Sequence, residues 1–292
     1  MLTIKLVDNM SRIRTCAGNS FFTGKSVCEI DYDKIKSLIL MKHGVKLTYT
    51  SLESIRTACH ADLPNRAYGF PTIINWEPNG GEAQTSQVGY GPTYYNGMSA
   101  RNDALTLDKF RHYLRAEILK NVEEVFDMYL IDKMNNLYGL NDGTDTLAGI
   151  PVTIYPSGND HPGASDKESL VVNVVYEDVE EYMINLDVVP LDFRANTAVY
   201  GLMPVTLEKV GTSGNNYKVV EFFGKGDATA KYGALIAEEA TTVLDGVTAA
   251  TYDSANNYLT MTMATGSTTP TLKKASVLAT SGIYGIEPYV AS

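Results

Sequence analysis

The most strongly patterned part of the chain runs from Leu105 to Thr153. Its first apolar positions recur at helical spacing, at Leu107, Phe110, Leu114 and Ile118. Thr106 and Asp108 supply a cap and a negative charge for a first helical turn. This pattern predicts a helix from about Leu107 to Asn121.

The second half of this part changes character. Val125–Ile131 is β-branched, aromatic and aliphatic, Lys133–Asn136 is polar, and Leu137 with Tyr138 is apolar again, which predicts a β-hairpin. An alternative interpretation continues the helix to about Leu137. It rests on the apolar residues Ile118, Val122, Val125 and Tyr129, which also fit a helical stripe.

The chain before the central part contains few regular patterns. Met1–Asp8 alternates like a strand, and Asp31–Lys42 predicts a short helix ended by His43 and Gly44. Pro71–Trp76 predicts a strand, Asn79-Gly80-Gly81 a turn, and Gln84–Tyr90 the returning strand of a hairpin. The glycine- and tyrosine-rich Gly89–Tyr95 is interpreted either as a surface loop or as an extension that reaches a neighbouring subunit.

The remaining chain alternates between strands and polar breaks. Strands are predicted at Gly149–Tyr155, Leu170–Tyr176, Ala198–Leu207, Tyr217–Phe223, Val247–Tyr252, Tyr258–Met263 and Leu272–Leu278. Pro156–Lys167 is predicted to be a loop, and Asp187–Phe193 is less regular. Asp227 precedes a predicted helix with Tyr232, Leu235, Ile236 and Ala240 on one face.

The glycine- and asparagine-rich Gly211–Asn216 marks a domain boundary. We therefore expect a β-rich assembly domain over residues 1–207 and a small α+β accessory domain over residues 208–292. The predicted fold class is α+β, mainly β, with a β-sandwich or barrel module, one flanking helix and a small C-terminal α+β subdomain.

Composition narrows the class of protein. With 44% hydrophobic and 20% charged residues, the 292-residue chain is typical of a globular protein. Nineteen tyrosines against one tryptophan favour half-buried sheet faces and subunit interfaces. A formal charge of −10 disfavours a general nucleic-acid binder, which needs a basic face.

Cysteine usage and hydropathy indicate where the protein is made. Cys16, Cys28 and Cys59 are an odd number without metal-type spacing, and are expected to be reduced thiols. The N-terminus lacks the features of a signal peptide, and no apolar run approaches the length of a membrane span. These features predict synthesis in a cytoplasm and no membrane partner.

Candidate chemistry is sparse. Cys59-His60-Ala61-Asp62 brings together three metal-ligand types, but no partner cluster is visible and a polar loop is the preferred interpretation. Asp142-Gly143-Thr144-Asp145 lacks the alternating oxygen ligands of a calcium loop and is interpreted as a turn. Glu177, Asp178, Glu180 and Glu181 are interpreted as a solvated edge rather than as an acid–base pair.

Phosphate-binding and nucleophile motifs are also missing from the sequence. We therefore predict a protein that is not an enzyme and has no catalytic, cofactor-binding or metal-binding residues.

Several segments carry a resemblance to a known class. Phe126–Gly139, followed by Asp142-Gly143 and Gly149–Val152, resembles virion structural proteins of tailed phages. Gly80-Gly81 with Val88–Gly91, and later Val172–Asp178, are similar to that family's order of elements, so the resemblance covers roughly residues 70–207.

The resemblance implies a tail-tube or neck-ring subunit that forms homo-oligomeric rings, of which a hexamer is one candidate. Its expected partners are its own copies, other virion proteins and DNA that passes without specific binding, and its expected location is the virion. A continuous helix over residues 105–137 would favour a major or auxiliary capsid protein instead. A glycan- or surface-binding module is the alternative from another class, because tyrosine-rich β domains also bind glycans.

Overall fold

The computed structural model describes residues 33–290 except 71, 110, 158–167 and 213. The predicted strand at Met1–Asp8, Cys16, Cys28 and most of the loop at 156–167 lie outside the described residues. The described chain is mostly β, with 41% strand and 20% helix, several sheets and a curled half-barrel. The predicted class, α+β and mainly β, is confirmed.

The chain divides into two compact units. The first contains the described residues up to Ile55 together with Ala67–Val199, and the second contains Arg56–Arg66 and the described residues from Tyr200 onward. The sequence placed a boundary a few residues later, and did not indicate that Arg56–Arg66 joins the second unit.

The first unit is built mainly from antiparallel strands. Its strands are β1 (Ile35–Lys42), β2 (Tyr68–Phe70), β3 (Ile73–Glu77), β4 (Ala83–Gln87), β5 (Thr93–Met98), β6 (Asn102–Leu107), β7 (Phe126–Asp132), β8 (Asn136–Leu140), β9 (Ile150–Ser157), β10 (Val171–Tyr176) and β11 (Leu186–Pro190). Its helices are α2 (His112–Lys120), α3 (Val179–Asn185) and a 3-10 turn at Ala195–Thr197, and α1 (Leu52–His60) begins in it.

Strand β7 is the centre of the main sheet, whose order is β11-β8-β7-β9-β10-β6-β3. One edge of β7 pairs with β1 along its length, while the other edge is shared by β9, through Phe126–Met128, and by β8, through Leu130 and Ile131. Six of its seven residues are buried. A strand that is covered on both faces has a continuous run of apolar residues. The pattern of Val125–Ile131 is therefore also compatible with a helix.

The hairpin prediction for this region is confirmed, and the continuous helix is wrong. The Asp132 carboxylate lies where the chain leaves β7 and accepts the backbone N–H groups of Met134 and Asn136, each at 2.8 Å. Asn135 takes a positive φ of 64°, which asparagine tolerates better than most residues. This local chemistry turns the chain before a helix can continue.

The helix before the hairpin is shorter than predicted. It begins at His112 rather than Leu107, because residues up to Leu107 belong to β6, and its N-cap Arg111 makes no side-chain cap. Leu107 and Ile118 are nevertheless buried in the core, and Leu114 packs against it.

Two further expectations are wrong. The predicted helix at Asp31–Lys42 is instead β1, whose apolar residues Leu38–Met41 are buried on both faces. Asp187–Phe193, expected to be irregular, begins within β11. The acidic residues of Glu177–Glu181 are exposed, which agrees with the predicted solvated edge, and the Asp178 carboxylate opens α3 by accepting the Glu181 N–H at 2.8 Å.

The second unit places helices on a mixed sheet of order β15-β16-β13-β12-β18. Its elements are β12 (Met203–Lys209), β13 (Asn216–Glu221), α4 (Thr229–Glu238), α5 (Ala240–Val243), β14 (Leu244–Asp245), β15 (Val247–Asp253), β16 (Tyr258–Met263), β17 (Thr271–Leu272), α6 (Ala275–Thr280) and β18 (Ile286–Pro288). The predicted helix after Asp227 is confirmed, with Tyr232 and Ile236 in the core. The strand predicted at Leu272–Leu278 is wrong beyond Leu272, because Ala275, Leu278 and Ala279 form the buried stripe of α6.

Candidate assembly surface

The most unusual feature of the first unit is a long antiparallel ribbon. β3 pairs with β6, Gly80 bridges Arg101, and β4 pairs with β5, all in one continuous hairpin from Ile73 to Leu107. The chain therefore does not reverse at Asn79-Gly80-Gly81, and the predicted pairing of Gln84–Tyr90 with the preceding strand is wrong. The reversal lies at the tip, where the Gly91 N–H donates to the Val88 carbonyl at 3.0 Å.

We call residues Glu82–Ser99 the arm. All five residues of β4 and the first four of β5 are exposed, and neither strand pairs with any other described strand. Tyr90 at the tip is fully exposed, and Val88, Tyr94 and Tyr95 are 79%, 55% and 59% exposed. At a strand rise of about 3.3 Å per residue, the tip lies roughly 25 Å from the arm's base.

Two glycines lie where the ribbon leaves the main sheet and the arm begins. Gly80 and Gly81 have φ angles of 84° and 78°, in the left-handed region. A Cβ on Gly80 would overlap the carbonyl oxygen of Ala100 on the opposite strand. The glycine pair predicted to be a turn therefore lies within the ribbon, between the strands of the main sheet and the arm.

A buried polar cluster holds the base of the arm. Asp103 is fully buried, and its carboxylate accepts hydrogen bonds from Trp76 Nε1 at 3.0 Å, the Asn79 N–H at 3.2 Å and the Tyr176 hydroxyl at 3.0 Å. The Arg101 guanidinium donates twice to the same carboxylate, at 2.9 and 2.8 Å. A buried carboxylate needs this charge and these donors to offset its lost hydration.

Aromatic rings enclose the cation of this cluster. The Arg101 guanidinium lies 4.8 Å from the Tyr176 ring centre and 4.9 Å from that of Tyr182. Burial, followed by the neighbouring Tyr182 and Asp103, raises the pKa of Tyr176 well above its ordinary value, so its hydroxyl remains a donor to Asp103. The cluster joins both strands of the ribbon to β10 and α3.

Helix α3 lies beside the arm. The Tyr95 hydroxyl donates to Glu180 Oε1 at 2.7 Å, and this bond raises the pKa of Tyr95. Val179 and Tyr182 face the core, whereas Met183 and Ile184 are 46% and 70% exposed. The arm and α3 together present exposed tyrosines and the apolar side chains Val88, Met183 and Ile184, together with the exposed acidic residues of Glu177–Glu181.

The residues that sequence reasoning weighed as metal ligands have other partners. His60 is hydrogen bonded through both ring nitrogens, to the Arg56 carbonyl and the Gly285 N–H. The carboxylate of Asp62 accepts from Lys274 and Ser276. Among the described residues, no group of three or more His, Cys, Asp or Glu side chains is placed to hold a metal ion.

The turn at Asp142-Gly143-Thr144-Asp145 is held by contacts among its own residues and by Lys46. Asp142 accepts from the Thr144 N–H and hydroxyl, and from Lys46 Nζ at 2.6 Å. The hydrogen bond from Lys46 lowers the pKa of Asp142 to about 2. His43 contacts Asp127 and His161 lies outside the described residues.

The glycine-rich stretch Gly89–Tyr95 is visible in the sequence, but the buried cluster around Asp103 at the base of the arm was not predicted. Asp103, Arg101 and Trp76 are far from Tyr176 in sequence, and only the alternating pattern of β6 hinted that Asp103 points inward. Comparison with protein-family models, curated proteins and solved structures finds no match to this chain. None of the described helices is long and apolar enough to cross a membrane.

Proposed function

We propose that this protein is a non-enzymatic structural component of a tailed-phage virion. In this proposal its copies assemble into rings or a tube, in the tail or the neck, through which DNA passes without specific binding. Other virion proteins contact the assembly at its ends.

The exposed arm is the observation that carries this proposal. Because the residues of β4 and β5 are almost all exposed, packing within the described chain stabilises the arm little, and Tyr90 is fully exposed there. Each square ångström of apolar surface removed from water stabilises a complex by about 25 cal/mol. Tyrosine is also favoured at protein interfaces, so the arm is suited to lie against another copy.

The open edges of the arm offer a second mode of contact. Exposed strands with unpaired N–H and C=O groups pair readily with strands from other chains. Contacts that join different surfaces of identical copies produce rings when the rotation closes, and tubes when rings stack.

The central hairpin supports a tube or ring over a shell. A continuous helix over residues 105–137 would favour a capsid protein, but this part of the chain is β6, α2, β7 and β8. The charge also suits a DNA passage, because a chain with a formal charge of −10 repels phosphates.

The test is electron microscopy and sedimentation of the purified protein over a wide concentration range. We expect rings or tubes from the wild-type chain, and their loss in a Val88→Ser/Tyr90→Ser variant that removes the apolar tip. Phe223→Ser is the matched control, because it removes a 50% exposed aromatic side chain from the other unit.

Two outcomes contradict the proposal. A wild-type protein that remains monomeric at high concentration refutes assembly, and rings that persist in the arm variant refute the role of the arm.

A glycan-binding module is supported by one separate observation. In the second unit Phe222 stacks on Tyr289, and Phe223 lies edge-on to both, forming a partly exposed aromatic cluster. Exposed aromatic faces are used to bind sugars, so a glycan array with wild type and Phe223→Ala tests this function. Equal signals from the two proteins, or no signal from wild type, would exclude it.

A further inference from the structure

A buried histidine joins two distant parts of the second unit. His60 is fully buried at the end of α1. Its Nδ1 lies 2.7 Å from the Arg56 carbonyl, and its Nε2 lies 2.8 Å from the Gly285 N. We call this pair of hydrogen bonds the His60 bridge.

The partners fix the protonation state of His60. A carbonyl oxygen can only accept, so Nδ1 carries the proton, and a backbone N–H can only donate, so Nε2 must be bare. The imidazole in the folded protein is therefore neutral, in the Nδ1–H tautomer. A proton at Nε2 would place its N–H opposite the N–H of Gly285, and neither group could accept a hydrogen bond.

Two tyrosine rings and a thiol surround the imidazole. The rings of Tyr200 and Tyr284 lie 5.4 and 5.5 Å from it, and the Arg56 guanidinium lies 5.2 Å from the Tyr284 ring centre. The neighbouring Cys59 thiol is buried, and burial raises its pKa to about 11, so it contributes no negative charge. Among the described residues, the Arg56 guanidinium on the Tyr284 ring brings a positive charge to this part of the structure, and it opposes a second one.

Gly285 leads directly into β18, the last described strand. β18 has three residues, lies at an edge of the sheet and pairs in parallel with β12. Besides this pairing, Glu287 binds Arg66 at 2.6 Å, from the same Arg56–Arg66 segment that carries His60. A strand this short depends strongly on these side-chain contacts.

We propose that the His60 bridge is an acid-sensitive restraint on β18. Protonation of Nε2 removes the acceptor for the Gly285 N–H, so β18 detaches from β12 and leaves that edge open to another strand. This inference does not depend on the proposed virion role.

The direction with pH follows from the neutral folded state. An accessible histidine has a pKa of about 6.5, so the opened form takes up a proton below that pH while the closed form excludes it. The restraint is complete above about pH 7 and is lost as the pH falls. Between pH 7.5 and pH 5.0 the opened fraction is expected to rise about 30-fold.

Amide hydrogen exchange of the full chain tests the proposal. After correction for intrinsic exchange rates, the amides of Gly285–Glu287 should lose about 30-fold protection between pH 7.5 and 5.0. The amides of β13, in the middle of the same sheet, are the internal reference and should change far less. Equal changes in both strands would overturn the proposal.

The matched variant is His60→Gln. Its amide can donate to the Arg56 carbonyl and accept from Gly285 but does not titrate, so the pH dependence at Gly285 should disappear. Glu287→Gln retains a partner for Arg66 and should leave the pH dependence intact. A His60→Gln protein with wild-type pH dependence, or a Glu287→Gln protein without it, contradicts the proposal.

A measurement on the wild-type protein covers the case in which His60→Gln does not fold. Imidazole ¹⁵N shifts should report a bare Nε2 at pH 7.5, and its protonation should coincide with the loss of Gly285 protection. Protonation of His60 with Gly285 still protected would overturn the proposal.

Discussion

Two hairpins of the first unit use the same secondary structure for opposite purposes. β7 and β8 are almost wholly buried, and their turn is tied by the fully buried Asp132. The arm is exposed along most of its length and touches the rest of its unit mainly near its base and through Tyr95. The first hairpin stabilises the fold, and the second presents a surface.

The difference lies in where each hairpin places its polar groups. Asp132 accepts four hydrogen bonds, from Met134, Tyr138 and twice from Asn136. The arm has its equivalent cluster only at the base, around Asp103. Buried polar networks specify one conformation, so the base of the arm is ordered while its tip remains available.

The largest effect should come from breaking the buried hairpin. Asp132→Ala leaves the buried Tyr138 hydroxyl and the part-buried donors of Met134 and Asn136 without this acceptor, and we expect a loss of about 4 kcal/mol in the free energy of unfolding. Chemical denaturation measures this loss. Asp253→Ala is the control, because that carboxylate caps an exposed hairpin turn through Ala255 and Asn256, and its loss should be far smaller. Equal losses would show that burial does not distinguish the two turns.

A somewhat smaller effect is expected at the base of the arm. Arg101→Ala leaves the Asp103 carboxylate buried without its cation, which should cost about 3 kcal/mol in unfolding free energy. Arm amides from Glu82 to Ser99 should also exchange faster, because the base no longer orients them. Arg101→Lys, which keeps the charge but not the two-point contact, should fall between wild type and Arg101→Ala.

The exposed ion pair between Lys46 and Asp142, which follows β8, should contribute little to the free energy of unfolding. The pKa of Asp142 is lowered to about 2, so its contribution is present above about pH 4 and is lost as the pH falls through 2. Because both side chains are more than a third exposed, we expect Asp142→Asn to cost only about 0.5 kcal/mol at pH 7. Denaturation of wild type and variant at pH 7 and pH 2.5 should show this difference shrinking; a constant difference would contradict the ion-pair origin.

The smallest effect on the isolated chain should come from the arm tip. Val88→Ser/Tyr90→Ser should change the unfolding free energy by less than about 0.5 kcal/mol, because neither side chain is buried. Thermal or chemical denaturation of the monomer checks this value. A large loss in the free energy of unfolding would show that the tip, like the buried hairpin, stabilises the fold of the monomer rather than an interface.

The sequence predicted the elements whose local chemistry is unambiguous. β10 alternates between half-buried and buried residues, and the strands predicted at Val247–Tyr252 and Tyr258–Met263 are β15 and β16. The sequence failed where a short apolar run fits two conformations: β1 was predicted to be a helix and α6 a strand. Periodicity over five or six apolar residues does not separate a strand buried on both faces from a helix.

The candidate site was only partly predictable. The glycines and tyrosines of the arm were visible, but whether Gly80-Gly81 reverses the chain or lies within a continuing ribbon depends on which strand β4 pairs with. Pairing partners are long-range contacts, and no local pattern records that Ala83 lies opposite Met98 or that Asp103 meets Tyr176.

By itself, then, the sequence determined the mainly β class and the acidic, tyrosine-rich character of the chain, and it favoured the central hairpin over a continuous helix. These properties follow from composition, residue propensity and turn chemistry, which act over a few residues. Tertiary structure alone decided that β7 is covered on both faces, that one ribbon continues into the arm, and that His60 reaches Gly285. Each of these depends on burial and hydrogen bonding between residues far apart in the chain, where the free energy of packing outweighs local preference.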